Sequence, residues 1–171
     1  MPNGTKMAAV AVVHPPKGPV FSIVLVLHIL AAAVGYGAMI LTGVQAERVR
    51  RGPRAPGAES ARAFFRPGTN WAARAVYLVP VLGVVLVALS RGAFGFGDTF
   101  VDVGIAVWAA SVAVAESVLW PAEREVQRLL RDGWPIGDQR ALASTCRRIS
   151  QISVALGIAF VGVGTVMAVK P

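Results

Sequence analysis

Four residues with side chains suited to chemistry interrupt long apolar runs of this sequence. His28 occurs in "VLHILAAAVGYGAMILTG", with Met39 eleven residues later, and Glu116 and Arg74 interrupt two other apolar runs. An imidazole and a thioether are ligands for haem iron and for copper. A carboxylate and a guanidinium at one membrane depth neutralise each other or mark a proton path. These four are the candidate site residues.

His28 has two interpretations. Counting from Pro19 at 1.5 Å per residue places it about 13–14 Å into the first apolar run, where an imidazole needs an interior position and a partner. Ala31, Ala32 and Gly35 share its helical face and predict a close contact with another helix. The sequence favours a hydrogen-bonded residue in that contact. The alternative is a metal or haem ligand.

A haem or copper site at His28 would need a second ligand. The other histidine, His14, precedes two prolines outside the apolar runs, so bis-histidine ligation would require a dimer that contributes one His28 per chain. Met39 shares the face of His28 and suits Cu(I), but it lies about 16 Å further along the helix. The sequence therefore predicts no cofactor, with haem or copper as the alternative.

Glu116 and Arg74 are predicted to form an ion pair. Glu116 lies four residues before Trp120, about 6 Å inside one end of its apolar run, and Arg74 begins another run at nearly the same depth. Such a pair fixes the topology of a membrane protein, because either charge alone is costly near lipid. The alternative is a proton or substrate path through Glu116.

Membrane-spanning helices must position these residues. Hydrophobic residues make up 55% of the 171 residues and charged residues 15%. Four windows contain roughly 20 mostly apolar residues, the length that crosses a bilayer. They predict an all-α, four-helix transmembrane bundle. It consists of a tail, 1–18, and a membrane domain, 19–170, with spans at about 19–44, 71–90, 99–120 and 149–169.

The arginines predict the orientation of the bundle. The first and third connections contain twelve arginines, whereas the second connection and the two tails contain four basic residues. The positive-inside rule therefore makes both long connections cytoplasmic and puts both termini outside a bacterial inner membrane, with Trp71 and Trp120 at the cytoplasmic interface. A net charge of +8 does not indicate nucleic acid here, because the cations flank apolar spans. The expected partners are the lipid bilayer and a second copy or another membrane subunit.

The connections carry local predictions of their own. In "PAEREVQRLLRDG", Val126, Leu129 and Leu130 share a face, which predicts a short interfacial helix that continues the third span and ends at Gly133. Two prolines and two glycines in "RRGPRAPGAES" predict a flexible loop. Asp98 is expected to cap the third span with its carboxylate.

Two features inside the spans predict how the helices bend and pack. Pro80 lacks a backbone N–H and is expected to kink the second span. A seam of small residues on the fourth span predicts close helix packing; it comprises Ser150, Ser153, Gly157 and Gly164.

The sequence lacks the common signals of soluble enzymes, since it contains no Walker loop, GxSxG or HExxH. Cys146 is the only cysteine, which excludes an intrachain disulfide. It is interpreted as a lone thiol in a loop; the alternative is a thiol activated by Arg147 and Arg148. A non-enzymatic protein is the expectation.

Three stretches resemble a known family. They are "LHILAAAVGYGAMILTGVQAER", "RPGTNWAARAVYLVPVLGVVLVAL" and "LWPAEREVQRLL". These stretches resemble parts of small bacterial integral membrane proteins of the DUF2269 family, within the wider copper-resistance-D-like (CopD-like) membrane group. The resemblance covers roughly residues 20 to 168, and its distinctive motif runs from His28 to Gly37. It implies a four-span architecture and an association with copper handling or haem-type electron carriers, without an established activity.

The sequence thus predicts a multi-pass inner-membrane protein that serves as a structural or accessory subunit. The alternative function is a small haem- or copper-binding membrane carrier that uses His28.

Overall fold

A computed structural model of the chain describes residues 18–131 and 139–169. Those residues form seven α-helices and two short segments of other helix types, and they contain no strand. In chain order the elements are α1 (Pro19–Arg50), α2 (Ala58–Phe64), α3 (Trp71–Arg74), a 3-10 turn (Ala75–Tyr77), α4 (Leu78–Leu89), α5 (Thr99–Val114), a π-helix (Ala115–Leu119), α6 (Trp120–Arg131) and α7 (Gln139–Val169).

Four helical stretches are long and apolar enough to cross a membrane, which confirms the predicted all-α bundle. They are α1, α3 with α4, α5 with α6, and α7. Large apolar side chains such as Ile23, Val84 and Ile158 point away from the bundle and are more than half exposed. An apolar outer surface is what contact with lipid requires, so the four apolar helices indicate a membrane protein.

The last turns of α1, the helix α2 and the helix α6 lie at one end of the bundle, called here the arginine-rich end. At this end α1 continues as helix past the predicted limit at Val44 as far as Arg50. Glu47 supports the extension, because its carboxylate pairs with Arg50 at 2.7 Å and with Arg51 at 3.1 Å. Pairs at i+3 and i+4 stabilise a helix outside the apolar segment that hydropathy detects.

The first connection contains a helix where a flexible loop was expected. Gly57 adopts a φ of +78° and leads into α2 (Ala58–Phe64). Ala61 and Phe65 are fully buried against the rest of the bundle. The prediction of a flexible loop is therefore wrong for its last residues, which belong to α2. The prediction was based on the Pro and Gly content and did not consider the apolar residues that follow.

The third span continues into the amphipathic helix α6, as predicted. Val126 and Leu130 are buried, and Leu129 is partly buried. A π-helix joins α5 to α6 without a break. Gly133, the expected C-cap, lies outside the described residues. α7 in turn begins at Gln139, well before the predicted start of the fourth span.

α1 packs between α4 and α7, and two of its glycines make this packing close. A methyl group on Gly35 would lie 2.7 Å from the backbone nitrogen of Val76. A methyl group on Gly43 would overlap the Cβ of Ser153. Lipid is as apolar as the helices, so this close backbone approach, rather than hydrophobic burial, holds the spans together.

The small-residue seam of the fourth span forms the contact with α1 over part of its length. Ser153 Oγ donates a 2.8 Å hydrogen bond to the carbonyl oxygen of Met39. A methyl group on Gly157 would lie 3.3 Å from Cδ1 of Ile40, closer than an ordinary contact. Gly164 has no neighbour within 4 Å of an added Cβ among the described residues, so the seam ends before it.

The second span is divided into α3, a 3-10 turn and α4, and Pro80 lies in the first turn of α4. In a regular helix the N–H of residue 80 would bond to the carbonyl of Val76, but proline has no N–H. This carbonyl accepts a backbone N–H at the end of the 3-10 turn and a 3.0 Å hydrogen bond from Trp108 Nε1 on α5. The bond from Trp108 ties the second span to the third.

The opposite end of the bundle has the short connection between α4 and α5. Phe94 in this connection packs edge-on against Phe21 of α1 and Phe100 of α5. Asp98 occupies the N-cap position of α5, but its carboxylate makes no capping bond to the helix. It accepts instead from the backbone N–H of Gly95 at 2.7 Å, so its predicted capping role is wrong.

Candidate functional site

The charged candidates Arg74 and Glu116 lie together at the arginine-rich half of the bundle. Arg74 ends the short helix α3, and Glu116 lies in the π-helix between α5 and α6. Arg74 Nη1 is 3.4 Å from Glu116 Oε1. The two residues are 42 positions apart in the chain, and the pair links the second span to the third.

Two aromatic residues complete this cluster. Neither was predicted to belong to it from the sequence. The hydroxyl of Tyr77 donates to Glu116 Oε1. The guanidinium of Arg74 lies over the indole of Trp120, with Cζ 3.3 Å from the ring centroid. Tyr77 follows Arg74 by three residues and Trp120 follows Glu116 by four, so the helical spacing was the signal that could have found them.

Trp120 is covered by its neighbours in the bundle, unlike Trp71. It was predicted to lie at the membrane–water interface with Trp71. Trp71 is 78% exposed, but Trp120 is only 2% exposed and lies within the bundle under Arg74. The ring is covered because the π-helix and α6 turn this face of the third span toward α7 and the second span.

The cluster holds a carboxylate between a cation and a hydroxyl donor. The side chain of Glu116 is 53% exposed and that of Arg74 is 23% exposed. A pair this accessible contributes about 1 kcal/mol or less by itself. The stacking of the guanidinium on Trp120 adds a contribution of about 0.5–2 kcal/mol, because the ring shields it from water. The arrangement holds the carboxylate of Glu116 in place and keeps the second span in contact with the third.

His28 lies half-buried on α1, and its ring contacts α4 at Val79 and Gly83. Its Cε1 is 3.4 Å from the position of an added Cβ on Gly83. Gly35, on the same face of α1, contacts the second span at Val76. Nδ1 of His28 is buried and has no hydrogen-bond partner among the described residues. The ring has a hydrogen bond with the backbone of Val79, whereas Nδ1 itself has none within this part of the chain.

Met39 does not join His28. It is fully buried, and its carbonyl accepts the hydrogen bond from Ser153 on α7. Eleven residues of helix separate the two side chains, about 16 Å along the axis. Within residues 18–131 and 139–169 there is no group of three or more His, Cys, Asp or Glu side chains that could hold a metal ion. One chain therefore does not assemble His28 and Met39 into a metal centre.

Cys146 lies in α7 and is fully buried, so its placement in a loop is wrong. The adjacent side chains of Arg147 and Arg148 are exposed on the other side of the helix. A buried thiol away from solvent is inert toward most reagents. Cys146 therefore acts as a small apolar side chain of the core.

The buried core is densest at the arginine-rich end, which the spans alone did not predict. Five of its fully covered apolar side chains come from five different parts of the chain: Val49, Phe65, Leu119, Val126 and Ile149. This end therefore holds its charged and polar groups on a rigid base. No known family model, curated protein or solved structure matches this chain.

Proposed function

We propose that the protein is a structural or accessory subunit of a bacterial inner membrane and not an enzyme. Its long arginine-rich connections lie in the cytoplasm, and both ends of the membrane domain lie outside. The resemblance of His28–Gly37 and the following spans to the DUF2269 family supports the four-span bacterial type.

The observation that carries this proposal is the closed packing between α1 and its neighbours. Gly35 and Gly43 bring the backbone of α1 against the second and fourth spans. The polar groups there bond to one another across helices, as Ser153 does to Met39 and Trp108 does to Val76. A bundle tied together in this way suits a frame that holds other subunits, because its interior offers little room for a moving substrate.

The outer half of α1 supplies a surface for such a subunit. Val20, Ile23, Val26 and Leu30 are each at least half exposed at the level of the membrane. A partner helix would replace lipid on this surface.

Single cysteines test the orientation. In a Cys146→Ser background, Ser60→Cys reports on the first connection and Phe96→Cys on the turn between α4 and α5, since both positions are exposed. We expect a membrane-impermeant maleimide to label residue 96 in intact bacteria and residue 60 only after the membrane is broken. The reverse pattern would overturn the orientation.

The mass of the protein in mild detergent tests the accessory role. The chain has a mass of 17.9 kDa. We expect it to be extracted from its own membrane in a larger complex, and a photo-crosslinker at Ile23 to link it to one discrete partner. A matched crosslinker at the fully buried Val126 serves as the control. A protein that is monomeric and links only to lipid would contradict the proposal.

His28 favours a second candidate function, a small haem- or copper-binding carrier. The specific observation is the buried Nδ1 without a partner. The described part of one chain holds no group of three or more His, Cys, Asp or Glu side chains for a metal, so in this second candidate the metal lies between the His28 residues of two copies. Haem or copper held there would supply electron or metal transfer.

An optical spectrum and metal analysis of the detergent-purified protein distinguish the two functions. Haem or copper that is present in the wild type and in His14→Ala, but lost in His28→Ala, would establish the carrier. A colourless wild type without metal, purified from cells supplied with both, would eliminate it and leave the accessory role to the crosslinking experiment.

A further inference from the structure

A cavity of about 390 Å³ lies at the arginine-rich end, between the segment of α2 and the helix α6. Its floor is apolar, since Phe65 and Leu130 line it and both are buried. Gln127 Nε2 on α6 donates a 3.2 Å hydrogen bond to the carbonyl oxygen of Gly68, which follows α2. This bond joins the two walls and keeps their spacing fixed.

The polar lining of the cavity is mostly cationic. Arg62 and Arg66 come from the α2 segment, and Arg131 comes from the end of α6. Glu59 is the one carboxylate among the lining residues. Three guanidinium groups from two separate segments therefore converge on one volume with an excess of positive charge.

Two of these arginines differ from others at the same end. Glu47 neutralises Arg50 and Arg51. Arg66 and Arg131 have no carboxylate within ion-pair distance in the described part of the chain. Glu59 offsets only one of the three positive charges that line the cavity, and the remaining like charges repel, so the cavity is arranged to receive an anion.

We propose that this cavity binds a phosphate group that carries a small organic substituent. The planar fork of a guanidinium matches phosphate oxygens with two hydrogen bonds, and this geometry makes arginine the preferred phosphate ligand. The apolar floor of Phe65 and Leu130 accepts the carbon atoms next to the phosphate. This binding site goes beyond the accessory role and stands independently of it.

Two sources supply this chemistry, and the position of the cavity admits both. Arg131 lies eleven residues beyond Trp120, about 16 Å further along the helix axis. The headgroup layer extends several ångströms beyond the hydrocarbon. The end of α6 at Arg131 therefore lies beyond that layer if α6 runs along the membrane normal, and within the layer if this amphipathic helix lies along the interface. An anionic phospholipid headgroup and a soluble phosphate ester are the two sources that follow.

Thermal unfolding of the full chain in dodecyl maltoside at fixed ionic strength tests the proposal. The probes are dioctanoyl phosphatidylglycerol, dioctanoyl phosphatidylcholine, glycerol 3-phosphate and inorganic phosphate. We expect a saturable rise of the unfolding midpoint with phosphatidylglycerol or glycerol 3-phosphate, because a ligand that binds only the folded state stabilises it.

Charge-matched variants locate the site. Arg66→Gln with Arg131→Gln should weaken the apparent affinity at least about tenfold, since charged hydrogen bonds of this kind contribute a factor of ten or more each. Arg54→Gln with Arg124→Gln removes the same charge from exposed positions outside the cavity and should leave the affinity within about twofold. If the first pair fails to fold, Arg66→Lys with Arg131→Lys keeps the charge, loses the fork and should still weaken binding.

The outcomes separate the sources. A response to phosphatidylglycerol alone identifies a lipid headgroup, and an equal response to glycerol 3-phosphate identifies a soluble phosphate ester. Equal responses to phosphatidylglycerol and phosphatidylcholine with none to the phosphates would overturn the proposal. Equal weakening in both charge-matched pairs would also overturn it, because the effect would then be general electrostatic attraction.

Discussion

Trp108 on the third span donates a 3.0 Å hydrogen bond to the carbonyl oxygen of Val76 on the second. Pro80 offers no N–H to the residue four positions earlier, so this carbonyl accepts from the backbone only at the end of the 3-10 turn and has room for the indole N–H. A side chain of one helix thus bonds to the backbone of another beside its proline. This relationship turns a helix-breaking residue into a contact between spans, and it can be tested by a double-mutant cycle.

Trp108→Phe should destabilise the bundle by about 1 kcal/mol, because it removes the hydrogen bond between the indole N–H and the carbonyl of Val76. In a Pro80→Ala background the restored N–H of residue 80 can bond to this carbonyl in place of the indole, so the same substitution should cost less. The free energy of unfolding, measured by titration with dodecyl sulfate in mixed micelles, gives both values. An equal loss of unfolding free energy in the two backgrounds would show that the indole ring, and not its N–H, stabilises the bundle.

Gly43→Ala should destabilise the contact between α1 and α7 by about 1–3 kcal/mol, because the new methyl group overlaps Ser153. Ser153→Gly should relieve a large part of this cost, since it removes the overlapping Cβ. Gly37→Ala is the matched control, because nothing lies within 4 Å of an added Cβ there. The prediction fails if the control is as damaging as Gly43→Ala in the same unfolding assay.

Gly35→Ala should also destabilise the bundle, but through contact with backbone atoms that no side-chain substitution removes. The atoms that its methyl group would meet are the backbone nitrogen and Cα of Val76. Truncating the Val76 side chain should therefore give no rescue, in contrast to the pair of Gly43 and Ser153. A rescue by Val76→Ala, seen as a restored unfolding free energy, would place the constraint in the side chain.

Arg74→Lys should cost about 1 kcal/mol, although it keeps the charge, because an ammonium group does not stack on Trp120 as a planar guanidinium does. Glu116→Gln should cost less, since the ion pair is accessible to solvent and the amide oxygen still accepts from Tyr77. Arg124→Lys, on the exposed side of α6, is the control. The three unfolding free energies decide between stacking and ion pairing, and a larger loss in Glu116→Gln would favour the ion pair.

Cys146 should react with a small maleimide at least about tenfold more slowly than an exposed cysteine on the same helix. The thiol is fully buried, so the reaction must wait for local opening. Ser144→Cys combined with Cys146→Ser supplies the comparison, because Ser144 is exposed two residues away. Mass spectrometry of a time course gives both rates. Equal rates would mean that the start of α7 opens freely.

Hydropathy predicted the spans because a helix in lipid must be apolar over the whole length that crosses the bilayer. It did not predict where the helices end, since Glu47 and its arginine partners continue α1 by local ion pairing that a hydropathy window does not register. In the same way, composition identified "RRGPRAPGAES" as irregular but not α2, whose two buried residues, Ala61 and Phe65, are fixed by tertiary packing.

Counting residues along each helix predicted that Arg74 and Glu116 lie at nearly the same depth, because the rise per residue is nearly constant in a helix. The stacking on Trp120 depends on the π-helix, which rotates the residues after Ala115, and nothing in the local sequence announces that extra turn. The cavity of Arg62, Arg66 and Arg131 depends on the fold of two connections. Counting arginines predicts the side of the membrane but not which of these arginines line a common cavity.

The bond between Ser153 and Met39 joins residues 114 positions apart in the chain. Ribosomes add about 5–20 residues per second, so roughly 6 to 23 s separate the synthesis of the two partners. Throughout that time the glycine face of α1 around Gly43 lies in the membrane without the helix that covers it. Assembly of this bundle is therefore limited by the arrival of α7, and the insertion machinery must keep α1 available until then.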